Sequence, residues 1–148
     1  MKIYLDVCCL CRLFDNHRDT RIRLEAEAVL SILKRCSLDW ELVTSRAVLY
    51  EIGLMSDPQR KANAFRLTDR ASEVIRIDDA LLVRAEELEA SGIMGMDAVH
   101  IACAEKTGSV FLTTDDELVR VMKKNTPRIS ICVDNPLHWL MEVNQNGD

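Results

Sequence analysis

The sequence predicts a three-layer α/β/α domain in which five strands form a central, mainly parallel sheet between two layers of helices. Short apolar segments alternate along the chain with longer segments whose apolar residues recur at helical spacing. Strands that are separated by helices pair in parallel and are covered on both faces. With 148 residues, few Gly (5) and Pro (3), and no repeat or linker, residues 1–148 are expected to form a single domain.

The five predicted strands are short segments in which apolar and β-branched residues are frequent. Each is followed by a segment of helical periodicity, so consecutive strands are joined by crossovers rather than by hairpins. The first strand ends at an acidic residue that directly precedes another apolar run. The predicted strands are residues 2–6, 40–44, 73–77, 109–113 and 129–133.

The helices are predicted from apolar periodicity and from residues that favour helix ends. Thr44 or Ser45 can cap the helix after the second strand, and Asp57-Pro58 places an N-cap before Pro at the first helical position. Gly92 and Gly108 favour helix ends because Gly readily adopts the conformation of a C-terminal cap. The predicted helices are residues 19–36, 45–55, 58–71, 78 or 79 to 92, 98–106, 115 or 116 to 124, and a last one from Asn135-Pro136 that frays from Asn144.

Composition and charge exclude several classes of protein. The net charge of −5 and the pI of about 5.2 argue against a broad basic surface that binds nucleic acid by charge alone. Aromatic residues make up 5%, too few for a base-stacking platform. No apolar run approaches the roughly 18 residues of a membrane helix, and Asp6 interrupts the N-terminal apolar run, so no membrane association or signal peptide is expected. The expected location is cytoplasmic, where the six cysteines are reduced.

Four acidic residues occupy positions where predicted strands end or helices begin. Asp6 ends the first strand, Glu51 lies about two turns into the helix after the second, Asp97 is in the first turn of a helix, and Asp115 follows the fourth strand. In a parallel sheet these positions can converge at one edge, where sites form. Taken singly, each is more often a surface or capping residue, because acids stabilise helix N-termini.

Asp6 is the acid that is least easily explained as a surface or capping residue. It lies between an apolar strand and the apolar run Val7-Cys8-Cys9-Leu10, where an acid needs partners or a metal. Carboxylates that converge without compensation repel each other, and a divalent cation removes the repulsion. Hard Mg²⁺ or Mn²⁺ prefers carboxylate oxygen and water, and such a site supports phosphoryl transfer.

Four blocks of sequence carry these acids. They are Ile3-Tyr4-Leu5-Asp6, Ser45 with Glu51, Met96-Asp97-Ala98-Val99-His100-Ile101-Ala102, and Phe111-Leu112-Thr113-Thr114-Asp115. Together they resemble the signature of PIN domains, in the expected order and spacing from about Lys2 to Trp139. The resemblance implies a metal-dependent ribonuclease that acts on RNA and whose acidic quartet holds Mg²⁺ or Mn²⁺. It assigns that quartet to Asp6, Glu51, Asp97 and Asp115.

The resemblance also has implications for partners. Small single-domain bacterial PIN domains are commonly the toxins of VapBC-type toxin–antitoxin pairs, and PIN toxins are usually homodimers. The resemblance therefore implies a cognate antitoxin protein that covers or plugs the acidic pocket, and a second copy of the chain. The apolar residues Leu49, Leu54 and Leu137 are candidates for the contact between copies, with a place in the core as the alternative.

Three positions near the quartet bear on this resemblance. Many PIN domains carry Asn, Ser or Thr two residues after the first Asp, where this chain has Cys8, whose thiol is a weaker hydrogen-bond donor and a softer ligand. A further acid often follows the fourth, so Glu117 is a candidate metal ligand, with Asp116 as the competitor. Thr113 matches the hydroxyl residue that commonly precedes the fourth acid and is expected to orient the carboxylate of Asp115.

Other candidates carry a weaker signal. The run Cys8-Cys9-x-Cys11 permits a zinc or redox interpretation, but no second cluster of ligands accompanies it, and buried free cysteines are ordinary core residues. His100 lies one turn after Asp97 and is expected to pack and hydrogen-bond locally; a role in orienting Asp97 or carrying a proton is the alternative. Basic residues that can meet phosphates, or simply cover solvated helix faces, are Arg12, Arg46, Arg120, Lys123 and Lys124.

The expected function is hydrolysis of RNA phosphodiester bonds by metal-activated water. A phosphatase of the haloacid-dehalogenase type also places Asp after its first strand, but it needs a second Asp where this chain has Cys8. The stronger alternative is a silent PIN-like scaffold that binds RNA or a partner protein, with Cys8 marking decay of the site.

Overall fold

Five parallel strands form the central sheet, as the alternation of strands and helices predicts. The computed structural model describes residues 1–146. The strands are β1 (Lys2–Leu5), β2 (Glu41–Ser45), β3 (Glu73–Ile75), β4 (Val110–Leu112) and β5 (Val133–Asp134). Their order across the sheet is β3-β2-β1-β4-β5, and every neighbouring pair is parallel. β1 is therefore the central strand, with β2 and β4 on its two sides.

Helices cover both faces of the sheet and complete the three predicted layers. They are α1 (Val7–Cys11), α2 (Thr20–Arg35), α3 (Arg46–Gly53), α4 (Pro58–Thr68), α5 (Asp79–Ala90), α6 (Gly95–Thr107), α7 (Asp116–Lys124) and α8 (Pro136–Gln145). α2 packs against α8 in one layer, whereas α6 packs against α3 and α5 in the other. The core between them is apolar and includes Tyr4, Phe111 and Ile101, all fully buried.

Side-chain caps confirm most of the predicted helix starts. In each case a side-chain oxygen accepts hydrogen bonds from backbone N–H groups two or three residues later, which satisfies donors that the first turn leaves unpaired. The capping residues of α3, α4, α5, α7 and α8 are Ser45, Asp57, Asp78, Asp115 and Asn135.

The segment after β1 is helical, which the sequence analysis does not predict. Asp6 ends the extended strand and accepts a hydrogen bond from the backbone N–H of Val7, so it caps α1. A 3₁₀ turn at Arg12–Phe14 follows directly. The apolar run after Asp6 is thus a short buried helix, and it brings Cys8 and Arg12 to the carboxyl edge of the sheet.

The fifth strand is shorter and later than residues 129–133, the range that the sequence predicts. The residues before β5 are held instead by side chains of α5 and α6. Arg84 donates to the carbonyl of Arg128, and the Glu105 carboxylate accepts from the backbone N–H and the hydroxyl of Ser130. These contacts occupy polar groups that a longer strand would use for its ladder.

The end of the last helix, the state of the cysteines and the length of the helices can also be compared with the expectations from the sequence. α8 continues through Gln145, beyond the fraying predicted from Asn144, and residues 147–148 lie outside the described residues. All six cysteines are free thiols. Within residues 1–146, no helix combines the length and the apolar character needed to cross a membrane.

Candidate active site

Four acidic side chains from distant parts of the chain line one pocket. Its volume is about 430 Å³, and its walls include Asp6, Glu51, Asp97 and Asp115. Asp6 follows β1, Glu51 lies in α3, Asp97 is in the first turn of α6, and Asp115 caps α7. The pocket therefore lies at the carboxyl ends of β1 and β4, where the chain switches from one side of the central strand to the other.

Asp6 is the most firmly held of these acids. Its carboxylate is buried, and Oδ1 accepts the backbone N–H of Val7 at 2.8 Å. Oδ2 accepts the hydroxyl of Thr113 at 2.8 Å and the thiol of Cys8 at 3.5 Å. These donors replace the water that the carboxylate loses on folding, so Asp6 is fixed before any ligand arrives.

Thr113 holds Asp6 rather than the carboxylate of Asp115. Its hydroxyl donates to Asp6 and accepts from the backbone N–H of Asp115 at 3.2 Å, which ties the ends of β1 and β4 together. The prediction that Thr113 orients the Asp115 carboxylate is wrong. That carboxylate accepts instead from the backbone N–H groups of Glu117 and Leu118 at 3.0 and 3.1 Å, because it caps α7.

Cys8 lines the pocket between Asp6 and the residues that follow β4. Its sulfur accepts the backbone N–H of Thr114 at 3.3 Å and lies 3.4 Å from the Thr113 hydroxyl oxygen. A hydrogen bond with the Cys9 side chain lowers the pKa of Cys8, against the opposing effect of burial. The thiol thus makes the contacts of a small polar side chain, through longer and weaker hydrogen bonds.

A buried chain of hydrogen bonds holds Glu51. Nε2 of His100 donates to Oε1 of Glu51 at 2.5 Å, and Nδ1 of His100 lies 2.7 Å from the hydroxyl of Tyr4. That hydroxyl lies 2.6 Å from the Ser45 hydroxyl, which accepts the backbone N–H of Val48. The chain runs from the pocket through fully buried groups to the start of α3.

His100 packs in the core, as expected, but its hydrogen bonds are not local: they join it to Tyr4 and Glu51, and its acidic partner is Glu51 rather than Asp97. Burial lowers the pKa of His100, yet the bond to Glu51 and the charges of Asp6, Glu51 and Asp97 outweigh it, so the net pKa is raised. Burial raises the pKa of Tyr4 well above its ordinary value, which keeps its hydroxyl protonated. The histidine therefore positions Glu51 from within the core.

Asp97 is the acid with the least compensation. Within the described part of the chain, no group donates a hydrogen bond to its carboxylate, and it is only partly exposed. Burial and the charges of Asp6, Asp115 and Glu51 raise the pKa of Asp97 to about 6, although His100 acts in the opposite direction. Its negative charge at neutral pH is therefore poorly accommodated by the protein alone.

The carboxylates line the pocket, but their oxygens do not come close enough together for all of them to contact one ion directly. In residues 1–146, no three of them bring their oxygens within 4.8 Å of one another. An ion in the pocket would need water between itself and some of these oxygens. Mg²⁺ suits that arrangement, because it retains water and takes few direct protein ligands.

The sequence of this chain matches the sequence model of one protein family over most of its length. That family is the PIN domain, and the match covers residues 3–124. The chain belongs to the PIN-domain family. PIN domains are generally nucleases. No curated protein matches the chain significantly in sequence.

Solved structures of low sequence identity share the fold of this PIN domain. VapBC2 from Rickettsia felis, bound to a promoter DNA fragment, has a TM-score of 0.59 and 17% identity, over 91% of this chain and 98% of that chain. VapBC-1 from nontypeable Haemophilus influenzae gives 0.59 and 18%, over 92% and 98%. FitAcB from Neisseria gonorrhoeae gives 0.60 and 16%, over 93% and 99%. At such identities the likeness concerns the fold.

Glu117, the fifth acid predicted to bind metal, is not brought to the pocket of this PIN domain. Its side chain is exposed and forms an ion pair with Arg120 one turn later on α7. The competing acid, Asp116, is also directed elsewhere, because both its oxygens accept from Arg21 at 2.7 Å. The PIN-domain pocket thus contains the four acids of the quartet, but neither Asp116 nor Glu117 lines it.

Two arginines and a fifth acid, Asp15, also line the pocket, and Asp15 holds both arginines. Arg12 donates to Asp15 at 2.8 Å, and Arg60 does so at 2.5 Å. Arg12 also donates to Glu25, which is almost fully buried, at 2.9 Å. From the sequence, Arg12 is a residue that can meet phosphates or cover a solvated helix face, whereas Arg60 and Asp15 are not predicted to lie at the site. The one sequence signal for these contacts is the spacing of Arg12 and Asp15, which are one turn apart and can therefore form an ion pair.

Proposed function

We propose that this PIN domain is an endoribonuclease that uses Mg²⁺ or Mn²⁺ to hydrolyse phosphodiester bonds in RNA. One observation carries the proposal: the four carboxylates of the quartet line a single pocket, and within residues 1–146 no group donates a hydrogen bond to that of Asp97. The general nuclease activity of PIN domains and their usual use of a divalent metal support it.

The donor set fits a hard divalent cation. Asp6, Asp97 and Asp115 would hold it, with Glu51 acting directly or through water. Held by these residues, such a cation would supply polarisation of the phosphate, a lowered pKa of bound water and stabilisation of the leaving oxygen. The described geometry offers Glu117 no such role, so we leave it out of the proposed ligands.

The side chains of this protein contribute position and charge. Thr113 fixes Asp6, and His100 fixes Glu51, so two of the carboxylates are preorganised. The acidic pocket repels RNA until its charge is neutralised, whereas Arg12 and Arg60 on its wall supply donors suited to phosphate oxygens. No covalent nucleophile is required, because in-line attack by water depends on orientation.

We further propose that the chain is a cytoplasmic toxin with a cognate antitoxin and that it forms a homodimer. The VapBC and FitAcB structures that share its fold support the antitoxin. A basic side chain of the antitoxin would complement the acidic pocket. Of the three leucines predicted for a contact between copies, Leu54 is exposed, whereas Leu49 and Leu137 are only partly exposed; Tyr50, exposed on α3, adds to the same surface. Light scattering of the purified chain tests the dimer, and co-purification with the protein of an adjacent small gene tests the antitoxin.

The central test is an RNA cleavage assay with Mn²⁺ and with EDTA. Cleavage should require the metal and should be lost in Asp6→Ala and Asp97→Asn, while circular dichroism shows an intact fold. Asp116→Asn is the matched control, because that acid pairs with Arg21 outside the pocket and should leave cleavage unchanged. Glu117→Gln should likewise remain active. Cleavage by Asp97→Asn at the wild-type rate would refute Asp97 as a ligand.

A silent scaffold remains the second candidate, because Cys8 replaces the usual oxygen beside Asp6. Calorimetry separates the two functions. Binding of Mn²⁺ that Asp97→Asn abolishes supports the nuclease, whereas no binding in the millimolar range favours the scaffold.

A further inference from the structure

The outer side of α8 presents a histidine between two carboxylates, away from the acidic pocket. Nδ1 of His138 lies 2.6 Å from Oδ2 of Asp134, and its Nε2 lies 3.4 Å from Oε1 of Glu142. Across residues 1–146, these are the only three His, Cys, Asp or Glu residues whose ligand atoms lie within 4.8 Å of one another. None of them lines the acidic pocket.

Asp134 is placed to orient the imidazole of His138. Its carboxylate is buried at the end of β5, and Oδ1 is fixed by the backbone N–H of Asn135 at 2.8 Å. Oδ2 accepts the Nδ1–H of His138, which directs Nε2 outwards along α8. Metal-binding histidines commonly use this arrangement, in which a carboxylate fixes the ring while the other nitrogen binds the ion.

The distance between Nε2 and Glu142 matches a shared metal ion. A separation of 3.4 Å is long for a hydrogen bond between nitrogen and oxygen. It equals the ligand-to-ligand distance of a tetrahedron whose metal–ligand bonds are about 2.1 Å, which is about 3.4 Å, and Zn²⁺ binds His and Glu at such lengths. His138 and Glu142 are one turn apart on α8, so the helix itself holds this spacing.

We propose that His138 Nε2 and Glu142 Oε1 bind Zn²⁺ on the surface of α8, with Asp134 as the residue that positions the imidazole. Both ligands are more than half exposed, so water fills the remaining coordination positions. Without metal, Nδ1 of His138 donates to Asp134, and Nε2 carries a proton 3.4 Å from the Glu142 carboxylate. Zinc takes the place of the proton on Nε2, and that proton is released to solvent. The site is independent of the proposed nuclease activity.

The test is a Zn²⁺ titration of the full chain, followed by NMR of the imidazole nitrogens, with Mg²⁺ in excess for the acidic pocket. The chain has three histidines, and only the Nε2 resonance of His138 should shift and saturate, while His17 and His100 stay unchanged. Saturation at another histidine, or no shift at all, would overturn the proposal.

Variants define the ligands. His138→Gln and Glu142→Gln each remove a proposed ligand and should abolish this zinc binding, whereas Asp134→Asn removes only the positioning carboxylate and should weaken it by about 10- to 100-fold. Asp97→Asn should retain it, because that residue belongs to the other site. Cys132→Ser should also retain it; loss of binding there would show that the exposed thiol, rather than the His–Glu pair, holds the metal.

Discussion

Glu51 and His100 are joined by a hydrogen bond of 2.5 Å that connects α3 to α6 at the wall of the acidic pocket. The histidine is fully buried, whereas the Glu51 side chain remains 29% exposed. The carboxylate that faces the pocket is therefore positioned by a group that solvent and RNA do not reach.

His100→Leu should lower both stability and the proposed activity. The substitution leaves the Tyr4 hydroxyl and Glu51 without their shared partner, which should cost about 2 kcal/mol or more in the free energy of unfolding. Urea unfolding and RNA cleavage measure the two effects. His17→Leu is the control, because that exposed ring contacts only the carbonyl of Arg12 and should change little. Wild-type stability in His100→Leu would contradict a positioning role.

Thr113→Val should weaken Mn²⁺ binding and lower the free energy of unfolding by about 1–3 kcal/mol, because it removes the hydroxyl that holds buried Asp6. Thr44→Val is a matched control. Its hydroxyl is buried without a hydrogen-bond partner, so its removal should be neutral or stabilising. Calorimetry and urea unfolding check both variants, and equal effects at the two positions would argue against a special role for Thr113.

Asp97→Asn should stabilise the metal-free protein at neutral pH. The raised pKa of about 6 means that, between about pH 4 and 6, the folded chain holds a proton that the unfolded chain has lost. Wild-type stability therefore falls as pH rises through this window, and the variant escapes that loss. The gain should be about 1 kcal/mol at pH 7, allowing for solvent screening, and should vanish near pH 4.

Thermal melts in EDTA at pH 4 and pH 7 measure this difference. The exposed acid Glu86 provides a control, because Glu86→Gln should show no comparable gain at pH 7. A destabilised Asp97→Asn at pH 7 would contradict the charge repulsion inferred for the pocket.

Cys8→Ser should preserve or raise the proposed cleavage activity, because a hydroxyl can make the same contacts with Asp6 and Thr114 through shorter and stronger hydrogen bonds. Cys8→Ala removes these contacts and should cost about 1 kcal/mol in stability. Cleavage rates and urea unfolding of the two variants are compared directly. Lower activity in the serine variant than in the alanine variant would show that the sulfur itself is required.

Arg12→Leu should destabilise the fold strongly. Glu25 is 1% exposed and keeps only Arg21 and Asn135 as partners when Arg12 is lost, so the expected cost is about 3 kcal/mol. Arg120→Leu breaks an exposed ion pair on α7 and should change the free energy of unfolding far less than Arg12→Leu does. Urea unfolding of both variants measures the contrast, and similar costs would mean that burial does not govern these ion pairs.

The features that could be predicted from the sequence are those that depend on residues close together along the chain. Helix caps such as Ser45 and Asn135 act on residues two or three positions away, so their effect is visible in the sequence. The presence of Asp6 and Asp115 in one pocket could be predicted, because the carboxyl ends of neighbouring parallel strands lie at the same edge of a sheet. The contacts of Thr113 and Arg60 could not be predicted, because each depends on residues that only the completed fold brings near.

The central position of β1 also determines when the pocket can assemble. Asp6 and Glu51 lie in the first half of the chain, but Asp97 and Asp115 lie in the second half, and β4 must pair with β1 before the four can line one pocket. Until the chain has been made as far as Asp115, it carries only part of this set of acids. The concentrated negative charge can therefore form only once synthesis has passed Asp115 and β4 has paired with β1.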